Sequence, residues 1–229
     1  MSSDPAREAA AQAAVERIEP GMLLGLGSGR AVWRTIDLIA ERWPDGPPVR
    51  SAFASERTRE LAAEAGIEAI DLDGRTRLDL AIDGADEIDP DLGLIKGGGA
   101  ALLREKIVVA AARRFVVVAE ERKQVGRLGE TFRLPVEVVR FGWQDTQRRV
   151  LELLPAAELR TGDAAEPVVT DEGHLLLDCE LPAEGDLREL ASALKATVGV
   201  VEHGLFLAMA DEALLGRPDG SLSVVTALD

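Results

Sequence analysis

The sequence predicts an α/β fold, a Rossmann-like parallel sheet with helices on both faces, joined to a smaller α+β lobe. Three observations carry this expectation. Short apolar runs alternate with amphipathic stretches over the first half of the chain, the pattern of a helix-covered parallel sheet. Segments rich in Gly and Asp follow several of those runs, where open parallel sheets place their ligands. After about Arg127 the rhythm changes to strand, helix, hairpin and helix. The expected division is one α/β domain of residues 1–127 plus about 203–229, and a smaller α+β domain of residues 128–202.

The elements follow in order. A first helix begins at Pro5, with Ser3 or Asp4 as its cap and proline at the first helical position. Met22 to Leu26 is a strand. A glycine loop leads into a helix from Ala31 to Arg42, closed off by Pro44, Pro47 and Pro48. Val49 to Ala54 is the second strand; Ser55 caps a helix through Ala65, and Gly66 stops it. Ile67 to Leu72 is a third, shorter strand and Leu78 to Ile82 a fourth. The 17 residues from Asp83 to Gly99 read as one long loop, and a loop of that length in a compact domain points to function. A helix from Ala100 to Arg114 and a strand from Phe115 to Ala119 complete the first half. Beyond it come a strand Leu134 to Val139, a helix Gln144 to Leu154, a hairpin turning at Asp171, Glu172 and Gly173, and a helix Asp186 to Thr197. Val200 to Asp229 returns to the first domain through the apolar run Leu205 to Ala210.

Composition narrows the function. With 229 residues the chain is long enough to bury roughly 70–75% of its unfolded surface. Its net charge of −15 repels nucleic acid and acidic membranes, and an aromatic content of 3% without tyrosine leaves little for stacking bases or glycans. No apolar run reaches the roughly 18 residues of a membrane span, and no signal peptide is expected. The single Cys179 excludes an internal disulfide, suits a reducing cytosol and reads as a core residue. His174 and His203, the two histidines, lack the spacing of a metal pair, and His203 has no neighbours suggesting a triad, so it reads as structural. Lysine occurs only at 96, 106, 123 and 195, against 22 arginines, which makes each lysine worth locating.

Three segments could carry chemistry. Gly25-Leu26-Gly27-Ser28-Gly29-Arg30 runs from strand into helix and suits an anion; Arg30 breaks a GxGxxG pattern and no P-loop lysine is present. A plain strand-to-helix turn is the rival reading. The loop Asp83-Gly84-Ala85-Asp86-Glu87 places two carboxylates three residues apart, close enough to split their pKa values into an acid and a base. Solvated surface acids are the alternative, as is a hard-cation loop using Asp83, Asp86, Asp89 and Asp91, although that order departs from an EF-hand. Lys96 followed by Gly97, Gly98 and Gly99 puts a point charge beside unhindered backbone N–H donors, suited to a phosphate or a growing enolate oxygen. Glu105, in the second turn of the next helix, could point back at that loop or lie on the helix surface.

Together these residues resemble the ribose-5-phosphate isomerase A family. The stretch LDLAIDGADEIDPDLGLIKGGGAALLREKIVVA, residues 78–110, is similar to that family's signature, with support from GLGSG, SERTRELAAEAGI, AEERKQVGRLG, LPVEVV and VGVVEHGLF. The resemblance implies an aldose-ketose isomerase of the pentose phosphate pathway that interconverts D-ribose 5-phosphate and D-ribulose 5-phosphate without metal or cofactor. It implies Glu105 as the base, with Asp83, Asp86 and Lys96 assisting ring opening and stabilising charge. Substrate would meet Ser28, Gly29, Arg30, Ala31, Gly84, Ala85, Gly97, Gly98, Gly99 and Lys123. Arg7 stands where relatives often carry Lys. The family usually has two hydroxyl residues where this chain has Arg30 and Ala31, so either Arg30 replaces them at the phosphate or the substrate differs. A cytoplasmic homo-oligomer, a dimer, is expected. The rivals are a non-catalytic sugar-phosphate sensor, disfavoured because no basic DNA-binding helix is present, and a deaminase or CoA transferase of related fold, which lack the paired DGAD and KGGG segments.

Overall fold

The computed structural model describes residues 4–227. Its elements are α1 (Pro5–Glu16), β1 (Leu23–Leu26), α2 (Arg30–Arg42), β2 (Arg50–Phe53), α3 (Glu56–Glu64), β3 (Glu68–Ala69), β4 (Leu80–Asp83), β5 (Glu87–Ile88), β6 (Leu94–Ile95), α4 (Leu102–Ala110) and β7 (Phe115–Glu120). They continue as β8 (Leu134–Val138), α5 (Trp143–Val150), β9 (Ala156–Leu159), β10 (Leu175–Glu180), α6 (Leu187–Ala196), β11 (Val200–His203), β12 (Leu205–Phe206), β13 (Glu212–Gly216) and β14 (Leu222–Thr226). The large sheet has the order β14-β13-β7-β4-β1-β2-β3, parallel throughout except for β14 at the edge.

Strand alternation builds both faces of that sheet. Leu24, Leu26, Leu80, Ile82, Val116 and Val118 pack with α1, α2 and α3 on one side. Ala81, Phe115, Val117 and Ala119 face the other way, where Val109 of α4 joins them. The helices begin as their caps dictate. Asp4 accepts a hydrogen bond from Ala6 N–H at 3.1 Å with Pro5 behind it, whereas Ser3 lies outside the described residues. Ser55 accepts from Thr58 N–H and Asp186 from Arg188 N–H.

The smaller four-stranded antiparallel sheet, β11-β8-β10-β9, has its own apolar core, to which Val150 of α5 and Leu194 of α6 contribute. Strand β11 belongs to this sheet, so the chain returns to the large sheet only with β13, beside β7.

Three expectations need correction. The third strand shrinks to Glu68–Ala69, because Asp73 accepts hydrogen bonds from the N–H groups of Arg75 and Thr76 and turns the chain away. The loop from Asp83 to Gly99 contains a hairpin, β5-β6, which β12 extends to three strands. Ile88, Leu94 and Ile95 bury its inner side, and Asp89 closes its turn by accepting from Asp91 and Gly93 N–H, an internal role in place of the cation site considered. Helix α4 starts at Leu102, not Ala100, whose φ of 61° is non-helical, and this moves Glu105 into the first turn.

Candidate active site

The parallel strands β1, β4 and β7 end side by side, and the loops that follow them line one cavity of about 220 Å³. Ser28, Gly29, Arg30, Ala31, Gly84, Ala85, Asp86, Lys96, Gly97, Gly98, Gly99, Glu105 and Lys123 all line it, bringing together segments far apart in sequence. Of the catalytic and substrate-binding residues the resemblance implies, Asp83 alone does not line the cavity. Gly27 makes room for it: a Cβ there would stand 1.9 Å from the Asp83 carboxyl carbon.

At the floor of the cavity lies a buried trio, of which Lys96 and Glu105 line the cavity and Asp83 does not. Lys96 Nζ is 2.9 Å from Asp83 Oδ2 and 3.3 Å from Glu105 Oε2, and donates to the Gly84 carbonyl at 2.7 Å. Lys96, Asp83 and Glu105 are 2%, 1% and 4% exposed. Asp83 also accepts from the N–H groups of Gly84 and Ser28, which favour its charged form. Glu105 Oε2 and Asp83 Oδ2 are both in ion-pair range of Lys96, yet neither receives a well-aligned hydrogen bond among the described residues, an unusual state for buried carboxylate oxygens.

One ammonium between two buried carboxylates sets the proton affinities. Burial and then the charge of Asp83 push Glu105 up to about 8, against the pull of Lys96. Burial also raises Asp83, opposed by Lys96. For Lys96, burial works against the ammonium, but Asp83 and Glu105 outweigh it and hold the group above its ordinary range. The result is a carboxyl poised near neutrality at the start of a helix and facing a cavity, the property expected of a general base.

The other end of the cavity suits an anion. Helix α2 opens there on Gly29, with no side chain capping its first N–H groups. Arg7 and Arg30 lie beside it, and Lys123 also lines the cavity. Arg7 is tied to Glu120 at 2.8 Å and Lys123 stands 3.9 Å from Asp86, whereas Arg30 makes no salt bridge among the described residues. Trp33, Val118 and Glu120 also line the cavity without having been singled out. Trp33 is three residues after Arg30, on the same helical face, and Glu120 extends β7 one residue past its expected end, so both signals were local.

The remaining candidates fall elsewhere. Cys179 is buried, with its thiol pushed up to about 12 by burial, and is inert. His203 is lowered to about 4 by burial and by Lys106, and its Nδ1 accepts from Leu205 N–H, a neutral structural role. Lys106 and Lys195 both bind Glu202. Among the described residues no three His, Cys, Asp or Glu side chains cluster so as to hold a metal ion, and no helix is long and apolar enough to cross a membrane.

Comparison with known proteins agrees with this architecture. Residues 52–220 match the family described as Ribose 5-phosphate isomerase A (phosphoriboisomerase A). The chain is 47% identical over 221 residues to Ribose-5-phosphate isomerase A of Synechococcus sp. (strain JA-3-3Ab), covering 96% of each. Among solved structures, Ribose 5-phosphate isomerase from Plasmodium falciparum superposes with a TM-score of 0.91 at 31% identity, over 99% of both chains. A D-Ribose-5-Phosphate Isomerase in complex with phospho-erythronic acid gives 0.90 at 34% identity, over 96% of this chain and 97% of that one. With the signature segments gathered at one cavity and the agreement running through nearly the whole length of these relatives, the chain belongs to the ribose 5-phosphate isomerase A family.

Proposed function

We propose that the chain interconverts D-ribose 5-phosphate and D-ribulose 5-phosphate by moving a proton between C2 and C1 through an enediolate. One observation carries this reading: Glu105, buried and raised to about 8, shares a cavity with an uncapped helix start and four cations, Arg7, Arg30, Lys96 and Lys123. From the open aldose, Glu105 takes the C2 proton. The charge left on the O1–C1–C2–O2 system is stabilised by Lys96 and the neighbouring glycine amides; the hydroxyl proton passes from O2 to O1, and Glu105 delivers its proton to C1 as O2 becomes the carbonyl and O1 the hydroxyl. Asp86, which lines the cavity, is placed to exchange protons with the ring oxygen during opening; Asp83 acts from below by holding Lys96. The relative that binds phospho-erythronic acid, a phosphorylated sugar acid, supports a sugar-phosphate ligand. A non-catalytic sensor would have no use for a carboxylate kept at such cost. Turnover of ribose 5-phosphate by the purified chain after dialysis against EDTA tests the reading, and no turnover would end it.

The phosphate reading centres on Arg30, the unpaired cation at the mouth of α2. Arg30→Ala and Arg30→Ser are expected to raise KM for ribose 5-phosphate roughly 10-fold, the loss of one charge-assisted hydrogen bond, with kcat nearly unchanged. Unchanged KM in both would remove Arg30 from the phosphate site. A gain on a shorter or longer sugar phosphate would favour the second reading, a changed substrate.

The same proposal includes a larger catalytic domain of residues 1–127 and 203–229 and a smaller one of 128–202, supported by the separate cores of the two sheets. It also includes a cytosolic homodimer acting in the pentose phosphate pathway. The single buried cysteine suits a reducing compartment. Phe141 and Val198, 95% and 75% exposed at one end of the four-stranded sheet, support self-association.

A further inference from the structure

Arg160 lies just past β9 in the smaller sheet and lines no part of the cavity. Its side chain is 13% exposed and held by Asp178 of β10: Nε donates to Oδ2 at 2.9 Å and Nη2 reaches Oδ1. The guanidinium's remaining arm, Nη1, donates to the Gly97 carbonyl at 2.7 Å. The N–H of that same peptide unit, on Gly98, donates to Asp86 Oδ2 at 2.8 Å.

A trans peptide points its C=O and N–H in opposite directions, so a single rigid plane is gripped at both ends. Arg160 holds it from the small sheet and Asp86 receives it at the cavity. Left alone, this plane is poorly fixed. Gly97 sits at φ +109° and is followed by two further glycines, so the backbone here can reach several orientations. Charge at the carbonyl end also strengthens the hydrogen bond made at the amide end.

We propose that Arg160 is a positioning residue, which fixes the Gly97–Gly98 peptide and through it the Asp86 carboxylate at the cavity. The inference rests on the isomerase reading of this site. Arginine is required by its geometry: its planar fork meets Asp178 with one edge and Gly97 with the remaining arm, whereas a lysine ammonium on a shorter reach cannot reproduce both.

A double-mutant cycle tests it, with Arg160→Lys, Asp86→Asn and the pair assayed on ribose 5-phosphate and each melted thermally. Arg160→Lys should lower kcat roughly 10- to 100-fold, the scale of a misplaced group. KM should stay within about threefold, because the phosphate end is untouched. The pair should be no slower than Asp86→Asn alone, since both changes remove one function. A purely structural role predicts instead that the two losses multiply, and multiplied losses, or wild-type kcat in Arg160→Lys, overturn the proposal. Should Arg160→Lys fail to fold, Asp178→Asn, which leaves Arg160 present but unanchored, must show the same non-additivity with Asp86→Asn. Wild-type kcat in Asp86→Asn overturns the proposal while leaving Glu105 as base; absence of turnover in the unmutated chain would sink the isomerase reading itself.

Discussion

Glu105→Gln should lower kcat for ribose 5-phosphate by roughly 10²- to 10⁴-fold, the usual contribution of a positioned base, with KM changed little. The substitution keeps the shape of the side chain and removes its ability to accept a proton. Because Glu105 is raised to about 8, the unmutated chain should also lose kcat/KM about tenfold per pH unit below that value, as the base form disappears. The same raised affinity sets a stability signature. The folded state binds the Glu105 proton more tightly than the unfolded chain, so this contribution is fully present below the ordinary value of 4.5 and is lost as pH rises through about 8. Glu105→Gln is permanently neutral and escapes that loss. Its melting temperature should match the unmutated chain near pH 5 and exceed it at pH 9. Near wild-type kcat in Glu105→Gln would show that another group is the base, and parallel melting curves across pH would show that the fold does not raise the proton affinity of Glu105.

Lys96→Met should be the most damaging change to stability. It removes the only cation in contact with Asp83 and Glu105 within the buried trio and leaves their carboxyls facing each other, only 1% and 4% exposed. Breaking a buried pair in this way costs about 3–5 kcal/mol. In a chain of this size that is a fall in Tm of roughly 10 °C, with turnover lost. Adding Asp83→Asn removes one uncompensated charge and should recover part of the Tm but none of the activity. A Lys96→Met protein that melts like the unmutated chain would show that the trio contributes nothing to the fold.

Much of this site was legible because the chain writes it almost continuously. Asp83 to Glu105 runs from one strand end through a hairpin and a glycine segment to one helix start; residue types and spacing marked Asp86 and Lys96 as candidates but left Glu105 open between the site and the helix surface, and the family resemblance supplied its role. The scarcity of lysine helped and also misled. Two lysines, 96 and 123, meet the cavity, while 106 and 195 flank Glu202 and anchor the strand before His203. Short strands were less visible. The pairs Glu87–Ile88 and Leu94–Ile95 are too brief for an alternating pattern to emerge, so a hairpin read as loop. The start of α4 was missed for a similar reason: Ala100 and Ala101 favour helix by propensity, and only the glycine segment's geometry sends Ala100 to positive φ. Arg160 had no signal at all. Its importance comes from a contact more than 60 residues away across two sheets, and no local spacing encodes that.

Charge reads differently once the site is seen. On a chain of net charge −15, the proposed attraction of a phosphate rests on Arg7, Arg30, Lys123 and the start of α2 along one cavity, and is local and short-ranged. The central claim is that this cavity carries out proton transfer through an enediolate without help from a metal. Running ribulose 5-phosphate to ribose 5-phosphate in D2O, with EDTA present, tests it directly. Turnover that persists and yields ribose 5-phosphate carrying solvent deuterium at C2 is the predicted result. Activity lost to EDTA, or product free of deuterium as a hydride shift would give, would contradict it.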